Sequence, residues 1–155
     1  MASLKQSRRR RFGFTLIELM IVITIMTVLT GLILPMARAS LRRHKEQELR
    51  ADLQILRDAI DAYKDAADRG FIQKADSNGY PKNLETLTKG VEMRGGKTLR
   101  FLREIPLDPM TGKAEWGMHS MEDDPESDSF DETNVWDVYS KADGVGLDGT
   151  RYRTW

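Results

Sequence analysis

The chain contains no cysteine and only two histidines, His44 and His119, in 155 residues. Disulfides, thiolate-held metals and a cysteine nucleophile are therefore closed to it. A serine nucleophile would need a histidine and an acid beside it, and neither histidine stands in a ligand spacing such as His-x-x-x-His. No convincing catalytic set remains, so no enzymatic activity is expected. Acidic residues also outnumber basic ones over most of the chain. Lys5 and Arg8 to Arg11 occupy the first 13 residues, and the rest carries 19 basic against 24 acidic side chains. That balance argues against nucleic-acid binding, which wants a basic face.

Long apolar runs are equally rare, and the one present is informative. After the four arginines and Gly13, residues Phe14 to Leu34 hold a single ionisable side chain, Glu18. About 20 apolar residues suffice for a helix to cross a hydrocarbon core. A carboxylate near the middle of such a helix costs about 2.5 to 3.5 kcal/mol, which marks it as a functional residue in need of a partner. Cleavage between Gly13 and Phe14 would create an α-amino group four residues before Glu18, with an ordinary pKa of about 8. Two plainer readings stand beside this one. A conventional secretory signal has an apolar region of only about 7 to 15 residues, although Ala37-Arg38-Ala39 offers an Ala-x-Ala. A signal anchor would be held with its amino terminus in the cytoplasm by the arginines, but it gives Glu18 no purpose.

Arg11-Phe12-Gly13-Phe14-Thr15-Leu16-Ile17-Glu18-Leu19-Met20 resembles the class III signal of type IV pilins and type II secretion pseudopilins. The resemblance implies that a prepilin peptidase cuts after Gly13 and methylates the new terminus at Phe14. It also implies that Glu18 sets the axial register of a filament by pairing with a neighbour's Phe14 amine. Pro35 falls where the family's long helix commonly carries a proline.

The chain divides accordingly into a basic leader (1–13), a transmembrane and filament-core helix (14–36), the amphipathic half of that helix (37–69) and a small α+β domain (70–155). Thr15, Thr24, Thr27 and Thr30 are able to bond back to carbonyls of their own helix. A break is expected at Gly31 and Pro35, because proline removes a backbone donor and crowds the preceding turn. Leu49, Leu53, Leu56, Ile60, Tyr63 and Ala67 recur at spacings of four and three and predict one apolar face. Glu46 and Arg50 form a favourable i, i+4 pair, whereas Asp61 and Asp65 repel. Gly70 predicts the C-cap.

Beyond the helix, Ser77 to Pro81 is dense in turn residues, and Asn83 predicts the cap of a short helix through Leu87. Strands are expected at Ala114 to His119, Val135 to Ser140 and Tyr152 to Trp155, with a tight turn at Met110 to Lys113. An antiparallel sheet packed on the apolar stripe of the long helix completes a pilin-like α+β fold. Gly79-Tyr80-Pro81 with the helix after it, and Phe101 to Pro109, resemble stretches of major pseudopilins. The lack of a disulfide, which many type IV pilins carry, also leans to that branch.

Two acidic stretches remain. Residues 122 to 132 hold seven acids in eleven positions, the composition of a solvated loop. Ser140 to Gly149 places Asp143 and Asp148 among glycines. Either two Asp-Gly turns or an oxygen-rich cation loop fits this pattern, though not an EF-hand. The resemblance to major pseudopilins implies calcium held by Asp143, Asp148 and Ser140.

The expected function is a structural subunit of a type II secretion pseudopilus: a homo-oligomeric helical filament assembled from the inner membrane, with its small domain in the periplasm. Prepilin peptidase, minor pseudopilins, an assembly platform and its ATPase are partners by resemblance. A type IV pilin or a minor pseudopilin shares the amino-terminal features. A signal-anchored periplasmic calcium-dependent binding domain is the alternative outside the family, and substitution of Glu18 separates it from a filament subunit.

Overall fold

A computed structural model describes residues 13–75, 77–123 and 133–155, with only the backbone described at 32–35. The leader, apart from Gly13, and most of the acidic stretch expected at 122–132 lie outside the described residues. Helix α1 spans Leu16–Asp68 and passes through two compact units, one ending at Leu41 and the other running from Arg42 to Trp155.

From Leu16 to Gly31 the side chains of α1 are apolar except for Glu18 and three threonines. Leu16, Ile17, Met20, Ile21, Ile25 and Leu29 are all exposed, and the helix is long and apolar enough to cross a membrane. Thr24, Thr27 and Thr30 donate their hydroxyls to the carbonyls of Met20, Ile23 and Met26 at 2.7 to 2.8 Å, so each conceals its polar atom in its own helix. Thr15 does not join them. It precedes the helix as its N-cap, and its Oγ1 accepts from the amide of Glu18 at 3.3 Å.

The break expected at Gly31 and Pro35 is absent, because α1 continues through both residues. Proline deprives one carbonyl, that of Gly31, of its helical donor, and the turns on either side keep theirs. The helix also begins at Leu16 rather than Phe14, since Thr15 takes the capping position.

In the second unit α1 is amphipathic. Leu49, Leu53, Leu56, Ile60, Tyr63 and Ala67 are buried along one face, with Ala59 and Ala66 beside them. The helix closes at Gly70, whose φ of 74° is the left-handed conformation of a C-terminal cap. Gly70 N–H donates to Ala67 and Phe71 N–H to Ala66 at 3.1 and 2.9 Å, which is the paired bonding of a Schellman motif.

Asn83 then caps α2 (Leu84–Lys89) by accepting from Thr86 N–H at 3.0 Å. Leu84 and Leu87 point into the core. Strands β1 (Val91–Glu92) and β2 (Thr98–Leu99) form a minimal antiparallel hairpin that the sequence did not announce. Asp108 holds the turn into the next strand. Its Oδ1 accepts from Met110 N–H at 2.8 Å and its carbonyl accepts from Gly112 N–H at 2.7 Å.

Strands β3 (Trp116–His119) and β4 (Asp137–Ser140) pair antiparallel, with Trp116 opposite Ser140 and His119 opposite Asp137. Both are shorter than expected, and Trp136 N–H donates to His119 to prolong the pairing by one bond. The third expected strand is a 3-10 turn, Tyr152–Thr154. Only an isolated bridge, Val145 to Arg151, precedes it, so no ladder extends the chain there. The carbonyl of Arg151 accepts from both the amide and the hydroxyl of Thr154 and winds the backbone instead.

The core forms where these pieces meet the stripe of α1. Trp116, Val135, Val138, Tyr152, Ile72, Leu84 and Leu87 join Leu49 to Ala67 in one cluster, and Phe101 meets the Tyr63 ring edge-on at 5.3 Å. The architecture is α+β: a long helix packed against small antiparallel sheets.

Candidate functional site

Two regions carry the sequence-predicted residues. At the amino-terminal end, Gly13 and Phe14 precede the helix, and Phe14 is 83 % exposed. A side chain at Gly13 would meet nothing within 4 Å, so nothing among the described residues requires glycine there. Glu18 lies in the first turn of α1, where the helix dipole favours a negative charge. Its carboxylate has no ion-pair partner among the described residues, in a segment otherwise composed of apolar and hydroxyl side chains.

The other region is the loop after β4. Ser140 is fully buried, and its hydroxyl donates to Asp108 Oδ2 at 2.6 Å while accepting from Ala142 N–H at 3.1 Å. Asp143 is exposed on the wall of a small cavity shared with Ala142, Gly144, Val145, Arg151 and Arg153. Asp148 lines a different cavity with Arg50, Arg57 and Trp155.

Both oxygens of Asp148 are engaged. Oδ1 accepts from the amide and hydroxyl of Thr150 at 3.0 and 2.7 Å, and Oδ2 accepts from Arg50 at 2.5 Å. The Thr150 bonds first, and then the Arg50 charge, hold the Asp148 carboxyl below its ordinary pKa. The structure thus does not bring Ser140, Asp143 and Asp148 together as one ligand set. Among the described residues no group of three or more acids or histidines is placed to hold a metal ion. As arranged, these oxygens do not fit a calcium cage, which takes six to eight free oxygen ligands.

What the loop does grip is α1, through residues that the sequence reading missed. Glu46 is only 7 % exposed. It accepts from Leu147 N–H at 3.0 and 3.2 Å and from the Tyr152 hydroxyl at 2.9 Å, and it pairs with Arg42 at 3.2 Å. Arg42 also donates to the Tyr152 oxygen and to the carbonyl of Val145. Its own pKa is raised, chiefly by the bond to Tyr152, whereas burial raises that of the Tyr152 phenol.

The expected Glu46 to Arg50 pair does not form, because Glu46 turns to Arg42 and Arg50 to Asp148. One signal was available. Glu46 stands three residues before Leu49, on the apolar stripe itself, and a charge on a buried face requires a partner. Further along, Arg57 donates to Asp137 at 2.7 Å, to the carbonyl of Val138 and to that of Trp155.

His44 is exposed on α1. His119 stacks on Tyr139 with ring centroids 4.6 Å apart, and its buried Nδ1 has no hydrogen-bond partner among the described residues. Glu122 accepts from Asn78 and Asn134, and Asp123 from Ser120 N–H, so the described acids of this stretch fasten turns.

Residues 8–34 match the profile of the prokaryotic N-terminal methylation motif. The chain is 28 % identical over 147 residues to type II secretion system core protein G of Aeromonas hydrophila, covering 84 % of this chain and 96 % of that protein. It is 30 % identical to the protein of the same name from Klebsiella michiganensis, over 70 % of this chain and 72 % of that one. With the Pectobacterium carotovorum protein of that name it shares 32 % identity over 67 % and 65 % of the two chains. No solved structure matches the chain significantly.

Proposed function

Since the chain belongs to the family of type II secretion system core protein G, and is a pseudopilus subunit in protein secretion, we propose that it is processed and assembled as follows. A prepilin peptidase removes residues 1–13 by cutting after Gly13, and the new amino terminus at Phe14 is methylated. The apolar part of α1 anchors the subunit in the inner membrane in a single pass, with the second unit in the periplasm. The four arginines before Gly13 favour that orientation, since basic flanks stay on the cytoplasmic side.

In the filament the apolar helices of neighbouring subunits cover one another. Each Glu18 accepts the charge of a neighbour's Phe14 amine, which removes the cost of an unpaired acid in an apolar core. Helix packing supplies the adhesion, and the charge pair selects the axial register. The protein works by assembly and performs no catalysis of its own. Its partners are copies of itself, the prepilin peptidase, minor pseudopilins, and the assembly platform and ATPase of the secretion system.

The observation that carries this reading is the coincidence on one segment of the methylation motif at 8–34, an exposed Gly13–Phe14 junction and a lone acid on an apolar helix. Intact mass of the protein isolated from membranes tests it. A chain beginning at Phe14 and one methyl heavier is expected, with processing lost in Gly13→Val and kept in Glu18→Ala. Retention of residues 1–13, or cleavage near Ala39, overturns the reading.

A further inference from the structure

Arg42, Glu46, Arg50 and Arg57 lie on α1 at steps of four, four and seven residues, which at about 100° per residue keeps them within about 80° of one another on the helix surface. All four reach the carboxy-terminal part of the chain. Arg42 takes the carbonyl of Val145 and the Tyr152 oxygen, and Glu46 takes Leu147 N–H and the Tyr152 hydroxyl. Arg50 takes Asp148 and lies 4.1 Å from the centre of the Trp155 ring, and Arg57 takes the carbonyl of Trp155. The indole N–H of Trp155 donates in turn to Thr150. Nothing larger than a hydrogen fits at Gly146, where a Cβ would come within 2.4 Å of the Trp155 ring and 2.8 Å of Asp148.

A cation in this loop would need six to eight free oxygens around one point, yet several of the loop's oxygens already hold donors and the exposed Asp143 carboxylate lines a different cavity from Asp148. Gly144 accepts from Tyr152 N–H, Val145 from Arg42, and Gly146 from Gly149 N–H, while both Asp148 oxygens hold donors. Charge points the same way. Residues 141–153 and the helix side chains that touch them contribute five basic groups, Arg42, Arg50, Lys141, Arg151 and Arg153. Against these stand three acids, Glu46, Asp143 and Asp148. Calcium sites are instead built from an excess of carboxylate and carbonyl oxygen.

We infer that the loop from Lys141 to Arg153 is fastened to α1 by a guanidinium ladder and takes no calcium ion. Arg50 occupies the side of Asp148 that a cation would use. The fastening is internal to the second unit and does not depend on the filament. It gives a cysteine-free chain a means of holding its last residues that answers to arginine substitution and not to divalent ions.

The test is thermal melting and calcium titration of the full chain in detergent micelles. Calcium at about 10 mM, above the roughly 0.1 to 1 mM dissociation constants of extracellular calcium modules, is expected to leave the midpoint where chelator leaves it. Isothermal titration is expected to show no saturable heat. The double variant Arg42→Gln, Arg50→Gln is expected to melt several degrees lower, equally in calcium and in chelator. Variants of the single arginines separate a graded loss from a failure to fold. A saturable calcium-dependent rise in the wild-type midpoint, or an unchanged midpoint in the double variant, overturns the inference.

Discussion

Glu46 and Tyr152 stand 106 residues apart and share a hydrogen bond of 2.9 Å in the interior, the phenol donating to the carboxylate. This bond ties the beginning of the second unit to its end. Removing the hydroxyl in Tyr152→Phe leaves Glu46 with Leu147 N–H and Arg42, so the expected loss is about 1.5 to 3 kcal/mol, the usual worth of a bond to a charged group. Glu46→Ala strands the buried Tyr152 hydroxyl and the Leu147 N–H at once and is expected to cost more. Urea denaturation of the full chain in micelles, followed by tryptophan fluorescence, measures both.

Gly117 lies opposite Tyr139 in the β3–β4 pair, and a Cβ there would sit 2.2 Å from the tyrosine ring. The ring covers the bare backbone and stacks on His119. Gly117→Ala is therefore expected to displace Tyr139 and cost about 1 to 3 kcal/mol, as overpacking does. A shift of the Tyr139 ring resonances accompanied by a lower urea midpoint would bear this out, and an unchanged midpoint would refute it.

Stability depends on pH with two opposite signs. Burial, and then the charges of Glu48 and Asp108, raise the carboxyl of Asp52 above its ordinary pKa. A raised folded-state pKa contributes stability that is present below the unfolded value and is lost as pH rises through the folded one. Asp52→Asn is thus expected to raise the melting midpoint near neutral pH and to have little effect near pH 3. Glu85, held low by Lys89, and Asp68, held down to about 2 by Lys64 and then Lys74, act in the other direction. Their contribution is present above the unfolded values near 4 and disappears as pH falls toward 2. Melting curves across this range, with and without Asp52→Asn, separate the two.

Replacing Glu18 probes assembly apart from folding. It lies in the first unit, whereas the buried core lies wholly in the second. Glu18→Ala is expected to be processed to a chain beginning at Phe14 and to keep the melting midpoint but to yield no filaments by electron microscopy. Filaments indistinguishable from wild type would refute a register role.

The parts of the fold that local chemistry dictates were readable from the chain. The stripe from Leu49 to Ala67, the cap at Gly70 and the Asn83 cap each depend on residues within a few positions of one another, and each appears where the pattern placed it. What was not readable rests on distant partners. Glu46 seemed matched to Arg50 because helix spacing is visible in sequence, while Leu147 and Tyr152 are not visibly its neighbours. The hairpin at Val91 to Leu99 has two residues per strand, too few to show alternation. The 3-10 turn at Tyr152 replaced a strand because pairing needs a neighbour that no period in the sequence reveals. Thr15 carried a legible sign, since Thr-x-x-Glu is a capping pattern. Among the site residues, Gly13, Phe14 and Glu18 stand together at the head of α1, whereas Ser140 and Asp148 are engaged in their own hydrogen bonds and Asp143 lines a different cavity from Asp148.

The burial of the α1 stripe sets a schedule for biogenesis. Leu49 to Tyr63 leave the ribosome well before Trp116, Val135, Val138 and Tyr152, the residues that cover them. At a synthesis rate of about 5 to 20 residues per second, the last of these follows Tyr63 by about 5 to 20 s. Ile72, Leu84 and Leu87 follow early, but until the rest arrive the row of leucines is only partly covered in a nascent chain whose preceding segment is itself apolar. The subunit thus spends its first seconds as an incompletely covered amphipathic helix, the period in which a chaperone or the membrane surface has the greatest claim on it.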